Sequence, residues 1–364
     1  MTKLDELHAL GQPVWYDNIR RSLLDSGGLR ALVDSGVRGL TSNPSIFEKA
    51  IAGSVDYDQE LQNLARADTS VQAIYEILAM SDIRRAADVL RPVYEGTEGM
   101  DGYVSLEVNP TLAYDTRGTV DEARRLFTAL NRPNAMIKVP ATEEGLSAIQ
   151  TLIGEGINVN VTLIFALGRY EAVIEAYMRG LEDLSASNGD VSSVASVASF
   201  FVSRIDTAVD RELGTIGDQT LRGRVAVANA KLAYARFGEL FRGKRWKRLS
   251  GKGARVQRPL WASTSTKNPS YSDTLYVDSL VGPDTVNTMP PETLEAFEAH
   301  GTVARTVDQD VEAAIRVMER LAELDVDFEG ITQTLLEQGV QAFAEAFDGL
   351  LTSIAEKRER ILEG

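Results

Sequence analysis

Apolar runs of strand length alternate with longer segments in which apolar residues recur every three or four positions, and this alternation continues through most of the 364-residue chain. The short runs are nearly continuous, which is the signature of strands covered on both faces. They fall at 14–19, 39–44, 102–108, 135–140, 157–165, 194–202, 258–264 and 274–281. Helical spacing fills the intervals. A short helix over 2–10 sets Leu4, Leu7 and Leu10 on one side, and a helix over 29–35 is closed by Gly36. Further helices are predicted at 57–66, 71–91, 119–130, 169–184, 205–213 and 225–241. Thr142 reads as the N-cap of a helix, with Glu143 and Glu144 in its first turn, where negative charge is favourable. Beyond the eighth run the chain reads as helical. A final stripe of Leu336, Val340, Phe343, Phe347, Leu351 and Ile354 has the spacing of core packing.

Strands that alternate with helices form either an open doubly wound sheet or a closed barrel. Eight strands, with no G-x-G-x-x-G or P-loop spacing after any of them, favour an α/β fold of the (β/α)8 TIM-barrel type with additional helices. The expected organisation is a single domain over 1–364. It carries helical insertions at about 45–101 and 203–257 and C-terminal helices at about 291–362. A barrel needs about 250 residues, so the surplus fits those additions.

Composition narrows the chemistry. With no cysteine, disulfides, thiolate metal sites and cysteine nucleophiles are excluded. His8 and His300 are the only histidines and are not spaced as a metal pair or a serine–histidine dyad. Acid–base work therefore falls to carboxylates and lysine. A net charge of −15 argues against general nucleic-acid binding. The N-terminal segment has no apolar core of a secretory signal, and no run reaches membrane-spanning length, so a soluble cytoplasmic protein is expected. The stretch 242–258 departs from this acidic background with eight basic residues and no acid. It leads into the start of the seventh run and reads as a connection pairing with acidic helices, with Trp246 as its anchor.

The polar residues inside the apolar runs are the informative ones. Lys138 has apolar neighbours on both sides. Burial disfavours an ammonium ion, and a neutral amine can attack a carbonyl to form a Schiff base. A lysine paired with a buried carboxylate, or one on an edge strand, is the plainer reading of the same pattern. Lys138 has company, however. Asp17, Asn43 and Glu107 stand at or near the ends of the first three runs. Asn160 and Thr162 share one face of the fifth. Ser199 is followed by Arg204, and Ser263 by Lys267. In a barrel such strand ends converge on one face.

These motifs resemble the transaldolases, in the longer form of actinobacterial type, within the class I Schiff-base aldolases. The resemblance is carried by Asp17, Gly-Leu-Thr-Ser-Asn-Pro-Ser-Ile-Phe at 39–47 and Val-Ser-Leu-Glu-Val at 104–108. It continues with Ile-Lys-Val-Pro-Ala-Thr at 137–142 and Asn-Val-Asn-Val-Thr-Leu-Ile-Phe at 158–165. Ser-Phe-Phe-Val-Ser-Arg-Ile-Asp at 199–206 and Trp-Ala-Ser-Thr-Ser-Thr-Lys-Asn-Pro at 261–269 complete it. It implies transfer of a dihydroxyacetone unit, taking sedoheptulose 7-phosphate and glyceraldehyde 3-phosphate to erythrose 4-phosphate and fructose 6-phosphate in the pentose phosphate pathway. By the same resemblance Lys138 is the Schiff-base lysine and Asp17 the acid/base at the C4 hydroxyl. Glu107 serves carbinolamine dehydration through a water held with Thr162. Asn43 and Asn160 hold substrate hydroxyls, and Ser199 and Arg204 hold phosphate. Lys267 stands where many members carry arginine and is expected as the second phosphate cation. The imine serves as electron sink, so no metal or organic cofactor is implied. Expected partners are sugar phosphates, not nucleic acid or membrane, and homo-oligomer formation is left open. A sugar-phosphate aldolase, a dehydratase or a non-catalytic barrel are the competing readings. The Asp17 and Glu107 pair favours transfer.

Overall fold

The computed structural model describes residues 2–363. Eight parallel strands close into a barrel in sequence order. They are β1 Val14–Asp17, β2 Val37–Thr41, β3 Val104–Glu107, β4 Ala135–Pro140, β5 Val159–Ile164, β6 Ser196–Phe201, β7 Arg258–Ala262 and β8 Val286–Met289. The first seven match the apolar runs; β2 begins two residues before its run and ends three before the run's end, and the others coincide with their runs or are trimmed by up to two residues at an end.

The eighth does not match. Residues 274–281, expected as a strand, instead hold a short helix, Leu275–Ser279. Their buried apolar residues are Tyr276, Val277, Leu280 and Val281. That is a one-turn repeat and not an alternation. The true β8 escapes an apolar search because its middle residues are Asn287 and Thr288. Both are buried, and each has a side-chain hydrogen bond inside the barrel, although the Asn287 Nδ2 has no partner among the described residues. Thr264 Oγ1 donates to Asn287 Oδ1 at 3.2 Å, and Thr288 Oγ1 lies 2.7 Å from Thr41 Oγ1.

Helices pack around the strands over one continuous apolar core, with a smaller cluster joining Leu4, Leu7, Val14, Val37 and Phe297. Helix starts follow local chemistry. Thr142 caps Glu143–Gly154 by accepting from the Gly145 N–H, Asp115 caps Thr116–Leu130, and Ser70 caps Val71–Gly96. At Gly39 a Cβ would fall 2.6 Å from the Trp15 ring, so glycine lets the indole lie across β2. Among the described residues, no helix is long and apolar enough to cross a membrane.

The basic stretch forms a helix, Lys244–Ser250, with Trp246 buried edge-on to Phe241 at 4.7 Å. Arg245 binds both Glu182 oxygens, at 2.8 and 2.7 Å, on the helix Leu167–Ala186. Arg258, at the start of β7, forms a buried ion pair with Asp101 at 3.0 Å. The stretch is an anchored connection on the side of the barrel where strands begin.

The last helix, Phe328–Glu363, packs on elements that follow the ends of β2, β3 and β6, so it lies over the face where strands end. Leu350 and not Leu351 carries its buried stripe. Two devices seat it. Leu163, at a bulge in β5, takes a left-handed backbone with φ of 60° and fits against Gly339, where a Cβ would come within 2.8 Å. Lys357 Nζ donates to Ile51 O, Ser54 O and Asp58 Oδ1 at 2.8–2.9 Å.

Asp206, on the helix Ser203–Ile216, ties three helices together. Its carboxyl accepts from the Ala226 N–H at 2.8 Å and from the Tyr276 hydroxyl at 3.0 Å. Burial, reinforced by Asp210, pushes its pKa from 3.8 up to about 7. The fold therefore favours the neutral acid. That contribution to stability is complete below 3.8 and is lost as pH rises through about 7. Asp206→Asn should remove this decline and leave the variant more stable than the parent above pH 7, by about 1–3 kcal/mol. Denaturant midpoints measured across that window test it; parallel curves for the two proteins would contradict it.

Candidate active site

The ends of the strands enclose a cavity of about 510 Å³, a size suited to a small phosphorylated substrate. Its wall includes Lys138, Asp17, Asn43, Thr162, Ser199, Arg204 and Lys267. Glu107 and Asn160 stand one contact behind that wall, Glu107 through Lys138 and Asn160 through Ser199.

Strand register brings the inner groups together. Glu107, Lys138 and Asn160 are direct partners across β3, β4 and β5. Lys138 is buried, with Nζ 3.0 Å from the Ser42 carbonyl and 3.5 Å from Glu107 Oε2. Burial pushes the Glu107 carboxyl up to about 7, against the attraction of Lys138. Thr162 Oγ1 is buried with no hydrogen-bond partner among the described residues, and Glu107 Oε2 has no partner within hydrogen-bond geometry beyond its 3.5 Å ion pair with Lys138. Such orphaned polar atoms are costly unless an outside partner completes them. Asp17 Oδ1 accepts from the Thr41 hydroxyl at 2.7 Å. Burial raises its pKa as well, while Lys138 and Thr41 pull it down.

Further out the site becomes cationic. Arg204 stacks on Phe201 at 5.2 Å and has no carboxylate partner among the described residues. Burial pulls its pKa down, as expected of a cation waiting for an anion. Lys267 is exposed, and its Nζ donates to Ser265 Oγ at 2.6 Å. Asn43 caps the helix Pro44–Ala52 through Oδ1, which accepts from the Ile46 N–H at 3.0 Å, and also lines the cavity. Asn43 thus serves as a helix cap and as part of the cavity wall. Asn160 is engaged at both ends: Nδ2 donates to Ser105 Oγ at 3.0 Å and Oδ1 accepts from Ser199 at 2.7 Å.

Several wall residues went unnoticed in the sequence. Arg20 and Lys49 add exposed cations at the rim, and Glu292 adds an acid. The Ser42 carbonyl that holds Lys138 belongs to the 39–47 motif, but a backbone contact leaves no mark on residue type. Phe343 reaches the cavity from the final helix, its ring centroid 5.9 Å from Lys138 Nζ. Its place in an apolar stripe concealed that.

A lysine, two carboxylates and an unpaired guanidinium at the strand-end face of a closed barrel define a (β/α)8-barrel enzyme site suited to an anionic carbonyl compound. The sequence model of the Transaldolase/Fructose-6-phosphate aldolase family matches residues 14–354. A transaldolase of Trichodesmium erythraeum is 46% identical over 370 residues, covering 98% of this chain and 97% of that protein. Transaldolases of Parafrankia sp. and Thermobifida fusca are each 49% identical over 359 residues, with 97% of this chain covered. The chain belongs to the transaldolase/fructose-6-phosphate aldolase family.

The Glu107 carboxyl should be neutral below about pH 7 and ionised above it. In an Asp206→Asn background, which removes the other carboxyl expected to titrate there, infrared difference titration should show a protonated-carboxyl band that disappears near that pH and is missing when Glu107→Gln is added. Loss of the band near pH 4 would contradict the burial argument.

Proposed function

We propose that the protein is a transaldolase, a transferase that moves a dihydroxyacetone unit from a ketose phosphate to an aldose phosphate through an imine at Lys138. The observation that carries this reading is the contact of Lys138 with Glu107 at 3.5 Å, in a cavity whose outer wall carries the unpaired Arg204. Family membership and relatives named transaldolase over nearly their whole length support it.

In this reading the Lys138 amine attacks the ketose C2 carbonyl. Glu107, with a pKa near 7, can give or take the protons that turn the carbinolamine into an imine. Glu107 Oε2 and the orphaned Thr162 Oγ1 support a water relay between them. Asp17 takes the C4 hydroxyl proton as the C3–C4 bond breaks, and the bond's electron pair passes into the imine to leave an enamine. The aldose phosphate departs, an acceptor aldose phosphate enters, and the steps run in reverse. Asn43 holds a substrate hydroxyl. Ser199, fixed by Asn160, serves hydroxyls close to the lysine, a role nearer the reacting carbons than the phosphate contact its motif implies. Arg204 and Lys267 hold the phosphate, Arg204 as a planar fork and Lys267 as a point charge. No metal or organic cofactor takes part in these steps.

Borohydride added with fructose 6-phosphate should fix a reduced adduct on the peptide bearing Lys138. In a separate sample without borohydride, fructose 6-phosphate and erythrose 4-phosphate should yield sedoheptulose 7-phosphate, and Lys138→Ala should abolish both results. An unlabelled Lys138 would overturn the mechanism. Cleavage without transfer would make the protein an aldolase.

Arg204→Ala should lower kcat/KM for phosphorylated ketoses by about 10- to 150-fold, the loss of ~1.5–3 kcal/mol in a charged hydrogen bond. Unphosphorylated fructose should be affected far less. Equal losses for both substrates would remove Arg204 from the phosphate site.

A further inference from the structure

The enamine left on Lys138 after the first aldose phosphate departs has two fates. In transfer, C3 attacks the acceptor aldehyde. The C2=C3 pair forms the new carbon–carbon bond, nitrogen returns to the iminium, and the aldehyde oxygen takes a proton from Asp17. In release, C3 takes a proton instead. Water then adds to the C2 of the iminium and loses a proton, and the C2–N bond breaks with its pair going to nitrogen. The products are free dihydroxyacetone and the lysine amine. That water balances the one lost when the imine formed. A transferase must slow the second route for as long as the site waits for an acceptor.

Most of the groups around Lys138 are polar: Glu107, Thr162, the Ser42 carbonyl, and Asp17, which carries a proton after cleavage. Two aromatic rings line the cavity. Phe201 carries Arg204 on its face, on the phosphate side. Phe343 is the ring within reach of Nζ, at 5.9 Å from its centroid, inside the range of cation–π attraction to a protonated imine. It is only 5% exposed.

Phe343 is also held rigidly. It lies one turn beyond Gly339, so both residues share the face that meets β5. Phe347, a turn further on, sits edge-to-face with Tyr75 at 5.2 Å, and Lys357 fastens the far part of the helix with three hydrogen bonds. This is a seated wall and not a swinging lid.

We propose that Phe343 determines the outcome of the reaction by closing the side of Lys138 from which water and proton donors would reach the three-carbon intermediate, so that the unit is transferred and not released. An apolar ring offers no proton and no hydrogen bond to a water, and it excludes solvent from the atoms it covers. The proposal rests on the reading of Lys138 as the Schiff-base residue and specifies what protects the intermediate formed there.

The test measures a partition ratio. Fructose 6-phosphate is supplied alone and release of dihydroxyacetone is followed. Transfer to erythrose 4-phosphate is measured in parallel. Phe343→Ala should raise the ratio of release to transfer by about tenfold or more, as expected for loss of one barrier contribution. Phe343→Leu, still apolar but smaller, should give an intermediate ratio and decides the question if the alanine variant does not fold. Lys357→Met loosens the helix without touching the cavity and should leave the ratio unchanged. Parallel falls in both rates at a constant ratio would overturn the proposal, because Phe343 would then be packing alone. An equal rise in Lys357→Met would also overturn it, because the helix as a whole and not the ring would be responsible. Borohydride trapping on Lys138 in each variant separates the two levels. Absence of an adduct in the parent protein defeats the Schiff-base reading, whereas a normal adduct with an unchanged ratio defeats only the role of Phe343.

Discussion

Lys138 sits inside the barrel with its amine against the Glu107 carboxylate and the Ser42 carbonyl. A buried charge without partners is expensive, so this contact constrains everything near it. Glu107 must occupy the register position beside Lys138, and it does. The chain just beyond β2 must turn its carbonyl inward, and the Ser42 hydroxyl secures that turn by donating to Ser105 O at 2.7 Å. Asn160, the register partner on the other side, is locked between Ser105 and Ser199. One amine thus fixes the relative heights of β2 to β6, and those heights bring the site's polar groups to a common level.

The site is graded from this centre outward. Its inner groups are desolvated carboxylates with raised pKa values, that of Glu107 reaching about 7, which suits proton transfer near neutrality. Its outer groups are cations with increasing access to water, from Arg204 to Lys267. A substrate with a carbonyl at one end and a phosphate at the other matches that gradient without a metal ion in the scheme. The final helix adds Phe343 beside Lys138 to the apolar surface that Phe201 and Ala262 supply at the ends of β6 and β7.

Much of this was legible in the order of residues, for an identifiable reason. Seven strands were plain because both faces of each are covered, which demands consecutive apolar residues. Lys138, Asp17 and Glu107 stood out as polar interruptions in those runs. Thr142 announced a helix start by local hydrogen bonding alone. The eighth strand was hidden because its middle residues are polar, and their burial depends on contacts of Asn287 with Thr264 and of Thr288 with Thr41 that only the closed barrel makes. The segment 274–281 was misread because a short apolar run can be either strand or helix turn, and only its packing distinguishes them.

The sequence by itself determined the alternation of strands and helices, the closed-barrel class and the polar residues that interrupt the strand ends. Each of these depends on side-chain character at regular spacing. Tertiary structure decided the rest. It placed Glu107 and Asn160 behind the cavity wall, made the Ser42 carbonyl a partner of Lys138, and brought Phe343 to the amine from 205 residues along the chain. Backbone carbonyls carry no mark of identity, and a buried phenylalanine looks the same in a core and at a reacting atom. What separates the two is which distant surface the helix covers, and that is settled only when Leu163 and Gly339 meet.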